Sequence, residues 1–459
     1  MTTTPEQRPT HPAHVHASTP AEQRRVLAAS FLGTTVEWYD FFIYGAAAAL
    51  VFGPQFFPSL SATAGTLAAF STFAVGFVAR PLGGLIAGHL GDRKGRKSVL
   101  VASLLAMGAA TVLIGLLPTY EQIGIWAPIG LVVLRLVQGL GVGAEWGGAV
   151  LMAVEHAPPR RRAFYGSFPQ MGVPAGIILS SVAFLVLNAT LSTEVFASWG
   201  WRIPFLLSAV LILIGLLVRL SIHESPLFAE AAASRGRQNR RPLVQVVVRH
   251  PRELLVGTGA TVAATALGYL VLVYMLAYGT TALALPRSTM LWLTLAAAVV
   301  WLVGIAGSAL LADRIGRRRV FVIGASLAAV WAIPFFLLVD STHTAGMAVA
   351  FVVAAVAIAA MAGPQAALIA EMFPVAVRYS GSSIAYQAGS VLGGGLAPIV
   401  ATALYSATAS STSVALYAMA TALVSLVAVL FLPAASRPGS PSPDPLHLDP
   451  TTTRPAKER

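Results

Sequence analysis

The 459-residue sequence has no cysteine and few charged residues, and each shortage excludes a class of protein. Without cysteine the chain has no disulfides, no thiolate metal ligands and no cysteine nucleophile. Charged residues make up 10% of the chain, against about 25% in soluble domains. Hydrophobic residues make up 56%, and a single soluble core stops growing at about 250–300 residues. Lipid must therefore cover much of the surface.

Sequence motifs of soluble catalysis are also missing. The chain contains no P-loop, dinucleotide fingerprint, HExxH motif or nucleophile elbow. We therefore predict that the protein is not an enzyme, needs no cofactor and is not driven by ATP. The histidines His11, His14 and His16 belong to a polar N-terminal tail, and we predict no metal site there.

Apolar segments dominate the chain, and twelve of them are long enough for a helix of about 20 residues that crosses a bilayer. We predict spans at 26–52, 65–90, 98–118, 124–152, 164–189, 201–222, 253–280, 288–312, 320–340, 345–370, 381–405 and 412–433. Open strands cannot cross lipid, so the predicted fold is an all-α integral membrane protein. The polar tails 1–25 and 434–459 are predicted to be disordered, and the first lacks the apolar core of a cleavable signal peptide.

The net charge of +12 is concentrated on alternate loops. With the N-terminus inside, the inner segments carry Arg24, Arg25, Arg93, Lys94, Arg96, Lys97, Arg160 to Arg162, the run from Arg235 to Arg252, Arg314, Arg317 to Arg319 and Arg378. The main cation of the opposite side is Arg287. This positive-inside pattern predicts a protein of the bacterial inner membrane with both termini on the cytoplasmic side. It also explains the net positive charge, so no nucleic-acid partner is predicted.

Two short patterns occur once in each half of the chain. The segment from Gly88 to Lys97 contains Asp92, and the segment from Ala309 to Arg318 contains Asp313 at the corresponding place. Glu155 precedes Arg162 by the same spacing as Glu371 precedes Arg378, and the offset between the glutamates nearly equals that between the aspartates. We predict two pseudo-symmetric six-helix bundles, 26–222 and 253–433, joined by a cytoplasmic linker at 223–252 that contains a short amphipathic helix. Repeats of this kind are typical of transporters, with a substrate site between the halves near the bilayer midplane.

The first of these segments, GHLGDRKGRK, resembles the loop signature of the major facilitator superfamily, and Ala309 departs from it in the second copy. Arg135-Leu-Val-Gln-Gly resembles the superfamily's fourth-helix motif. Three further segments resemble its metabolite:proton symporter family, which includes shikimate, α-ketoglutarate, citrate and proline/betaine transporters. They are GTTVEWYDFFIYG from Gly33, RPLGG from Arg80 and GAEWGG from Gly143, and the likeness extends over nearly all of 26–433. The resemblance implies a secondary transporter that works by alternating access. The Pro- and Ser-rich tail lacks the heptads of the proline/betaine osmosensors.

Three acidic residues lie inside predicted spans, where a charge costs about 2.5–3.5 kcal/mol on insertion scales. Glu37 and Asp40 are three residues apart in span 1, so they share a helix face. Burial favours the neutral form of a carboxyl group, so we predict proton coupling there. The alternative is a fixed pair with Arg80 or Arg135. Glu145 in span 4 is interpreted either as a second proton site or as part of a gate.

Arg80 and Arg135 are the predicted buried cations, and the planar guanidinium fork suits a carboxylate. We favour Arg135 over Arg80 as the substrate or coupling residue; a fixed internal ion pair is the alternative for both. Other side chains within the spans are predicted substrate contacts, although any one of them is more often a packing residue or part of the aromatic belt at the lipid interface. They are Trp38, Tyr39, Gln170, Tyr269, Tyr386 and Gln387.

Charged residues at the inner ends of the helices form the third predicted group. By resemblance to the superfamily, they make charge pairs that hold the inward gate closed, and such pairs can break and re-form between two states. They are Asp92, Arg93, Arg96, Glu155, Arg162, Asp313, Arg314, Glu371 and Arg378.

These features together predict proton-coupled uptake of a small organic acid by a protein that functions as a monomer. Two alternatives stay open: proton-coupled uptake of a zwitterion such as proline or betaine, and export of a drug or metabolite. A transport-inactive sensor is a further possibility.

Overall fold

The computed structural model describes residues 20–94, 96–143, 153–154, 157–220, 242–374 and 377–432, which form helices joined by short turns. We number the twelve long helices in chain order. Those of the N-terminal half are α1 (Pro20–Ala47), α2 (Ala62–Lys94), α3 (Arg96–Leu116), α4 (Trp126–Gly143), α5 (Arg162–Thr190) and α6 (Ile203–Leu220).

The C-terminal half repeats this arrangement. Its helices are α7 (Pro251–Tyr269), α8 (Arg287–Ile315), α9 (Arg317–Asp340), α10 (Thr344–Glu371), α11 (Arg378–Ser390) and α12 (Ser411–Leu430). Shorter helices occupy the connections, at Tyr120–Ile123, Thr193–Ser198 and Pro242–Arg249.

Ten helical segments of the described chain are long and apolar enough to cross a membrane. The two other long helices are α3, whose apolar part is the shorter Val101–Leu116, and α1, in which Glu37 and Asp40 lower the mean hydropathy. The predicted all-α fold with twelve helices is confirmed, and the chain is a multi-pass membrane protein. Exposed leucines, valines and isoleucines cover the outside of the helices, as contact with lipid requires.

Three helices continue through a π-helical turn into a further helical segment. These turns are Ala48–Phe52 after α1, Leu270–Tyr274 after α7 and Val391–Gly395 after α11. The offset along the chain between the first two turns is nearly the same as that between the two repeated motifs. The local distortion is therefore repeated with the fold, and π-turns are frequent at functional sites.

Glycines bring α2 and α4 into backbone contact. A side chain at Gly143 would overlap the carbonyl oxygen of Arg80, and one at Gly76 would lie 2.7 Å from Nε of Arg135. Small residues of this kind permit close helix approach in membranes. Here they also place Arg80 and Arg135 on facing helices.

Two faces of the molecule follow from this topology. We call the ends at 94–96, 157–162, 242–251, 316–317, 371–378 and 430–432 the basic face, and the other ends of the helices the opposite face. The helix Pro242–Arg249 lies at the basic face, with Val246 buried and Val247 and Val248 exposed. The cation Arg202 lies at the opposite face, where its guanidinium donates to the carbonyls of Gly115 and Leu117 at 2.9 and 2.6 Å.

Candidate functional site

A narrow cavity of about 30 Å³ lies between the two six-helix halves, with room for no more than one or two waters. The N-terminal half contributes side chains from α1 and α5, and the C-terminal half contributes side chains from α7, α8, α10 and α11. The lining includes Trp38, Phe42, Gln170, Tyr269, Trp301, Gln365 and Tyr386. Five of these seven are aromatic, so the wall of the cavity is largely apolar with a few polar groups, as is usual for a ligand site.

An amide pair crosses the cavity from one half to the other. Nε2 of Gln170 donates to Oε1 of Gln365 at 3.0 Å, and Nε2 of Gln365 donates to the carbonyl of Ala260 at 3.3 Å. Nearby, three buried donors have no hydrogen-bond partner among the described residues: the indole nitrogens of Trp38 and Trp301 and the hydroxyl of Tyr269. Buried polar groups are normally paired, so these donors point to a bound acceptor.

Asp40 is at the centre of a polar network inside the N-terminal half. Its carboxylate accepts from Oγ1 of Thr111 on α3 at 2.9 Å and from Oγ of Ser208 on α6 at 2.5 Å. Nε2 of Gln138 donates to Oγ1 of Thr111 at 2.6 Å, and Nη1 of Arg135 donates to Oε1 of Gln138 at 2.8 Å. A continuous chain of hydrogen bonds therefore links a fully buried carboxylate to a fully buried guanidinium.

Arg80 and Arg135 both lie over the ring of Phe41. The Cζ atoms of Arg80 and Arg135 are 4.1 and 3.8 Å from the centroid of Phe41. Arg80 also lies over Phe77 and Trp38, and Arg135 over Tyr44 and Phe73. Cation–π contacts stabilise such desolvated guanidinium groups. Nε and Nη2 of both arginines have no hydrogen-bond partner among the described residues.

The two arginines face different surroundings. Arg80 contacts Trp38, which lines the cavity, and it interacts electrostatically with Tyr269 and Tyr386 of the other half. Arg135 instead is bonded into the Asp40 network. Arg80 thus contacts a cavity-lining side chain directly, through Trp38, and the preference for Arg135 as the substrate residue stays a prediction.

The two acids of α1 also have different neighbours, despite their spacing of three residues. Asp40 contacts hydroxyl groups of its own half. Glu37 is buried and interacts electrostatically with Tyr269 and Tyr386 across the interface. The two acids therefore have different surroundings: Asp40 is hydrogen-bonded within its own half, and Glu37 lies within electrostatic range of the other half. Proton coupling at this pair stays a prediction.

The remaining predicted contacts are divided between interface and packing. Tyr39 donates its hydroxyl to the carbonyl of Pro204 at 2.9 Å, which fixes α1 to α6 within the N-terminal half. Tyr269 stacks on Phe42 with ring centroids 5.6 Å apart, and so joins the halves. Gln387 is buried on α11, and its Oε1 atom has no partner among the described residues.

At the basic face, Asp313 joins the two halves through backbone groups of α5. Its two carboxylate oxygens accept from the backbone N–H groups of Ala163 and Phe164, both at 3.0 Å, in the first turn of α5. Those N–H groups have no partner within their own helix, and the helix dipole favours a negative charge there. Asp313 is therefore a helix cap supplied by the opposite half.

Other predicted gate residues are distributed around this cap. Glu371 forms an ion pair with Arg317, which was not a predicted gate residue. Nη2 of Arg317 also lies 4.0 Å from Oδ1 of Asp313. Arg378 donates to the carbonyl of Phe373 at 3.3 Å. Arg162 and Arg314 are exposed. The side chains of Asp92, Arg93 and Arg96 lie outside the described part of the structure, as do the residues Glu145 and Glu155.

The halves also meet at the opposite face. Gly45 after the middle of α1 packs on Val273, where an added Cβ would lie 3.2 Å from a methyl group. Arg287 at the start of α8 lies over the ring of Phe196, with Cζ 4.4 Å from its centroid. In this conformation the cavity therefore has contacts between the halves on both sides.

Sequence reasoning did not find several polar partners. Gln138 follows Arg135 by three residues, a helical spacing that signals a shared face. Thr111, Ser208 and Gln365 are single polar residues in apolar helices, and nothing in the sequence distinguishes them from packing residues. Their role depends on how far each helix is rotated.

Two pseudo-symmetric six-helix halves that enclose a small interfacial cavity define a membrane transporter rather than an enzyme. Family models match both halves: residues 26–245 match "Sugar (and other) transporter", and residues 280–458 match "Major Facilitator Superfamily".

Curated relatives match over most of the chain. The inner membrane metabolite transport protein YhjE of Escherichia coli is 44% identical, with 91% of this chain and 96% of that protein covered. The shikimate transporter of Escherichia coli is 42% identical, with 89% and 94% covered. The proline/betaine transporter of Escherichia coli is 34% identical, with 88% and 82% covered. The chain belongs to the major facilitator superfamily and, within it, to the family of metabolite transporters that these relatives represent.

Solved structures support the fold. The proton:xylose symporter XylE bound to 6-bromo-6-deoxy-D-glucose superposes with a TM-score of 0.70 at 18% identity, covering 90% of this chain and 96% of that one. A partially occluded inward open conformation of XylE from Escherichia coli gives the same score and identity. At this identity the likeness concerns the fold alone.

Proposed function

We propose that the protein couples the inward movement of protons to the uptake of a small organic acid across a bacterial inner membrane. The observation that carries this proposal is the network around Asp40, a carboxylate buried in the membrane and held by two hydroxyl groups. Ionisable groups inside a membrane are costly and mark proton and substrate pathways.

Both hydroxyl partners of Asp40 have a second acceptor, which gives the network two hydrogen-bonded states. Thr111 also lies 3.0 Å from the carbonyl of Met107, and Ser208 lies 3.5 Å from that of Pro204. When Asp40 is ionised, both hydroxyls donate to it. When a proton binds to Asp40, the hydroxyls turn to those carbonyls, and Gln138 and Arg135 lose a charged neighbour. Protonation therefore changes the surroundings of Arg135 without moving a helix far.

Arg80 is the proposed partner of the substrate carboxylate. It lies beside the cavity, and its unpaired Nε and Nη2 atoms form the side of the guanidinium that binds a carboxylate with two parallel bonds. The indoles of Trp38 and Trp301 and the hydroxyl of Tyr269 provide further donors for ligand hydroxyl groups. A cavity with this excess of donors suits an acceptor-rich, anionic metabolite.

Alternating access requires that the contacts between the halves break on one side at a time. At the basic face these are the Asp313 cap on α5 and the Arg317–Glu371 pair. At the opposite face they are the Gly45–Val273 and Arg287–Phe196 contacts. We assign the basic face to the cytoplasm, with both termini there, because the positive-inside rule places arginine-rich loops on that side.

A second candidate is uptake of a zwitterion, and Glu37 is the residue that favours it. This acid lies within electrostatic range of Tyr269 and Tyr386, and a carboxylate near two aromatic rings suits an ammonium group. A zwitterion would then lie between Arg80 and Glu37.

The test is uptake by the full-length protein in proteoliposomes with an imposed inward proton gradient. Labelled substrates should include a hydroxylated cyclic monocarboxylate, a dicarboxylate, a tricarboxylate, proline and betaine. We expect accumulation of an acid that stops when a protonophore collapses the gradient.

Three results would contradict the proposal in different ways. Accumulation of proline or betaine with no acid transported favours the zwitterion. Accumulation driven by sodium at equal pH removes the proton assignment. Proton-driven loss of solute from loaded vesicles, with no uptake, favours an exporter.

A further inference from the structure

Two arginines from different helices converge on the end of α12 at the basic face. Nη2 of Arg252, on α7, donates to the carbonyl of Phe431 at 3.4 Å, and Nη2 of Arg318, on α9, donates to the carbonyl of Leu430 at 2.7 Å. These carbonyls are consecutive, so the two guanidinium groups approach the same helix end from α7 and from α9. The terminal carbonyls of a helix have no partner within it and carry its negative dipole, which explains why they attract cations.

The hydrogen bonds to these two carbonyls use only a small part of the N–H donors of Arg252 and Arg318. A guanidinium has five N–H donors, and each arginine gives one hydrogen bond here. The neighbouring acid Glu253 faces His250 instead, with 3.9 Å between its oxygen and Nδ1. Within the described ranges neither Arg252 nor Arg318 forms an ion pair. Two positive charges therefore share a site without an anion from the described chain.

Apolar side chains surround the pair on the lipid-facing surface. Leu255 lies three residues after Arg252, on the same side of α7, and is 72% exposed; Phe431 is 64% exposed. Leu430 is also exposed. Since α12 is a membrane-spanning helix, its exposed last residues lie at the level where acyl chains meet headgroups. The site thus combines two cations at the level of the lipid headgroups with an exposed apolar surface at the level of the acyl chains.

We propose that Arg252 and Arg318 form a binding site for the phosphate of an anionic phospholipid. Two guanidinium groups at one helix end have free donors for the oxygens of a phosphate, and basic pockets between membrane helices are suited to anionic headgroups. A free phosphate ion would leave Leu255 and Phe431 uncovered, whereas a lipid covers them with its acyl chains. The bound headgroup bridges α7 and α9 at the end of α12 and so holds three helices of one half together. This site does not depend on the proposed transport function.

The test uses full-length protein in nanodiscs of equal size that contain either phosphatidylglycerol or phosphatidylcholine, followed by native mass spectrometry of retained lipid. We expect the wild-type protein to retain phosphatidylglycerol preferentially. The double variant Arg252→Gln with Arg318→Gln should lower the ratio of retained phosphatidylglycerol to phosphatidylcholine by about tenfold. The matched control is Arg161→Gln with Arg319→Gln, which removes two exposed arginines from the same face and should leave the ratio unchanged.

The folding of each variant is checked by size-exclusion chromatography and thermal unfolding in phosphatidylcholine. Wild-type protein should also unfold at a higher temperature in phosphatidylglycerol, and the double variant should lose this increase. An unchanged lipid ratio in the double variant, or an equal loss in the control, overturns the proposal. So does stabilisation of the phosphatidylcholine sample by inorganic phosphate alone. A further variant neutralises the acidic residues of the C-terminal tail, Asp444, Asp449 and Glu458. If only this variant prefers phosphatidylglycerol, the tail itself occupies the site in the wild-type protein, and the proposal is overturned too.

Discussion

The two halves of the molecule contain similar carboxylate clusters at different depths. In the N-terminal half, Asp40 accepts from Thr111 and Ser208 and so joins α1, α3 and α6. In the C-terminal half, Asp340 accepts from Tyr278 at 2.7 Å and from Ser411 at 2.5 Å, and joins α9, the segment Met275–Thr281 that continues α7, and α12. The same three helices of each repeat are tied by one carboxylate and two hydroxyls.

The depth of the carboxylate differs, and this difference separates two roles. Asp40 is 1% exposed in the middle of its helix, whereas Asp340 is the half-buried last residue of α9 at the opposite face. In the described ranges, the charged residues that are buried as whole residues are Glu37, Asp40, Arg80, Arg135 and Arg202, all of the N-terminal half. The side chain of Asp313, at the basic face of the C-terminal half, is nearly buried as well. The C-terminal half contributes uncharged Tyr269, Trp301, Gln365 and Tyr386 to the cavity. On the proposed function, the charged groups for protons and for the substrate carboxylate therefore lie in the N-terminal half, and the C-terminal half adds uncharged hydrogen-bonding and aromatic groups.

A serine on the last helix of each half sharpens this contrast. The offset along the chain from Ser208 to Ser425 lies between the offsets of the two repeated patterns, so the two serines occupy corresponding places. Ser208 donates to the Asp40 carboxylate, whereas Ser425 donates to the carbonyl of Gly259 at 2.5 Å and accepts from the N–H of Ala263 at 2.8 Å. The repeat preserves the tie between helices, and the N-terminal half alone has an ionisable partner there.

The largest expected effect distinguishes the two carboxylates. A pH difference of two units can drive about 100-fold accumulation in one-to-one symport, because each unit is worth about 1.36 kcal/mol. We expect Asp40→Asn to reduce accumulation to a ratio of about one while exchange of labelled for unlabelled substrate continues. The matched variant Asp340→Asn should keep accumulation. Equal loss in both variants would mean that the clusters have the same structural role.

The next largest effect concerns Arg80 and Arg135, the two buried arginines of the N-terminal half that lie over Phe41. Loss of a charge-assisted hydrogen bond costs about 1.5–3 kcal/mol, so Arg80→Gln should weaken substrate binding by about 10- to 100-fold. Arg80→Lys should recover part of the affinity because it retains the charge. Arg135→Gln should impair coupling more than binding. Thermal-shift titration of the purified protein measures the affinity, and a larger loss of affinity in Arg135→Gln would restore the preference that the sequence gave to Arg135.

The cap on α5 links the halves, so its removal tests whether they separate at the basic face. Asp313→Asn removes the negative charge and one of the two acceptor oxygens, a loss of about 1 kcal/mol, so it should increase opening about fivefold. Since the chain has no cysteine, a single Ala367→Cys reporter in the buried cluster with Ala163 can be labelled with a maleimide. Labelling should accelerate in Asp313→Asn and remain slow in the exposed control Arg314→Gln. Equal rates in all three proteins would exclude the cap as a gate.

A smaller effect is expected for the amide pair that crosses the cavity. Gln170→Leu and Gln365→Leu should each lower substrate affinity, and a double-mutant cycle should give a coupling of about 0.5–1 kcal/mol, or about two- to fivefold. Substrate competition assays on the four proteins provide the values. Additive effects would show that the two amides act independently of one another.

The smallest effect compares the two serines. Ser425→Ala and Ser208→Ala should each lower the midpoint of thermal unfolding by about 1–2 °C, because each removes a hydrogen bond worth about 1 kcal/mol in a large protein. Ser208→Ala should in addition reduce proton-driven accumulation, whereas Ser425→Ala should not. If both variants transport normally, the difference between the halves does not extend to these hydroxyls.

Much of this organisation can be predicted from the sequence, because lipid imposes strong rules on composition. Length and hydropathy give the twelve helices, and the repeated motifs around Asp92 and Asp313 give the two halves. The cost of burying charge marks Glu37, Asp40, Arg80 and Arg135 as residues that need a function. Each of these inferences depends on local composition or on a fixed offset along the chain, so it requires no knowledge of helix rotation.

The tertiary structure alone decides which of these groups meet. Three residues along a helix correspond to a rotation of about 60°, enough for Glu37 to face one half and Asp40 the other. The same holds for Arg80 beside the cavity and Arg135 within the network, and for Asp313, whose partners are backbone N–H groups with no sequence signature. The sequence thus determined that charges are buried in this membrane protein. Helix packing, through side-chain shapes and close glycine contacts distributed over the whole chain, determined their partners.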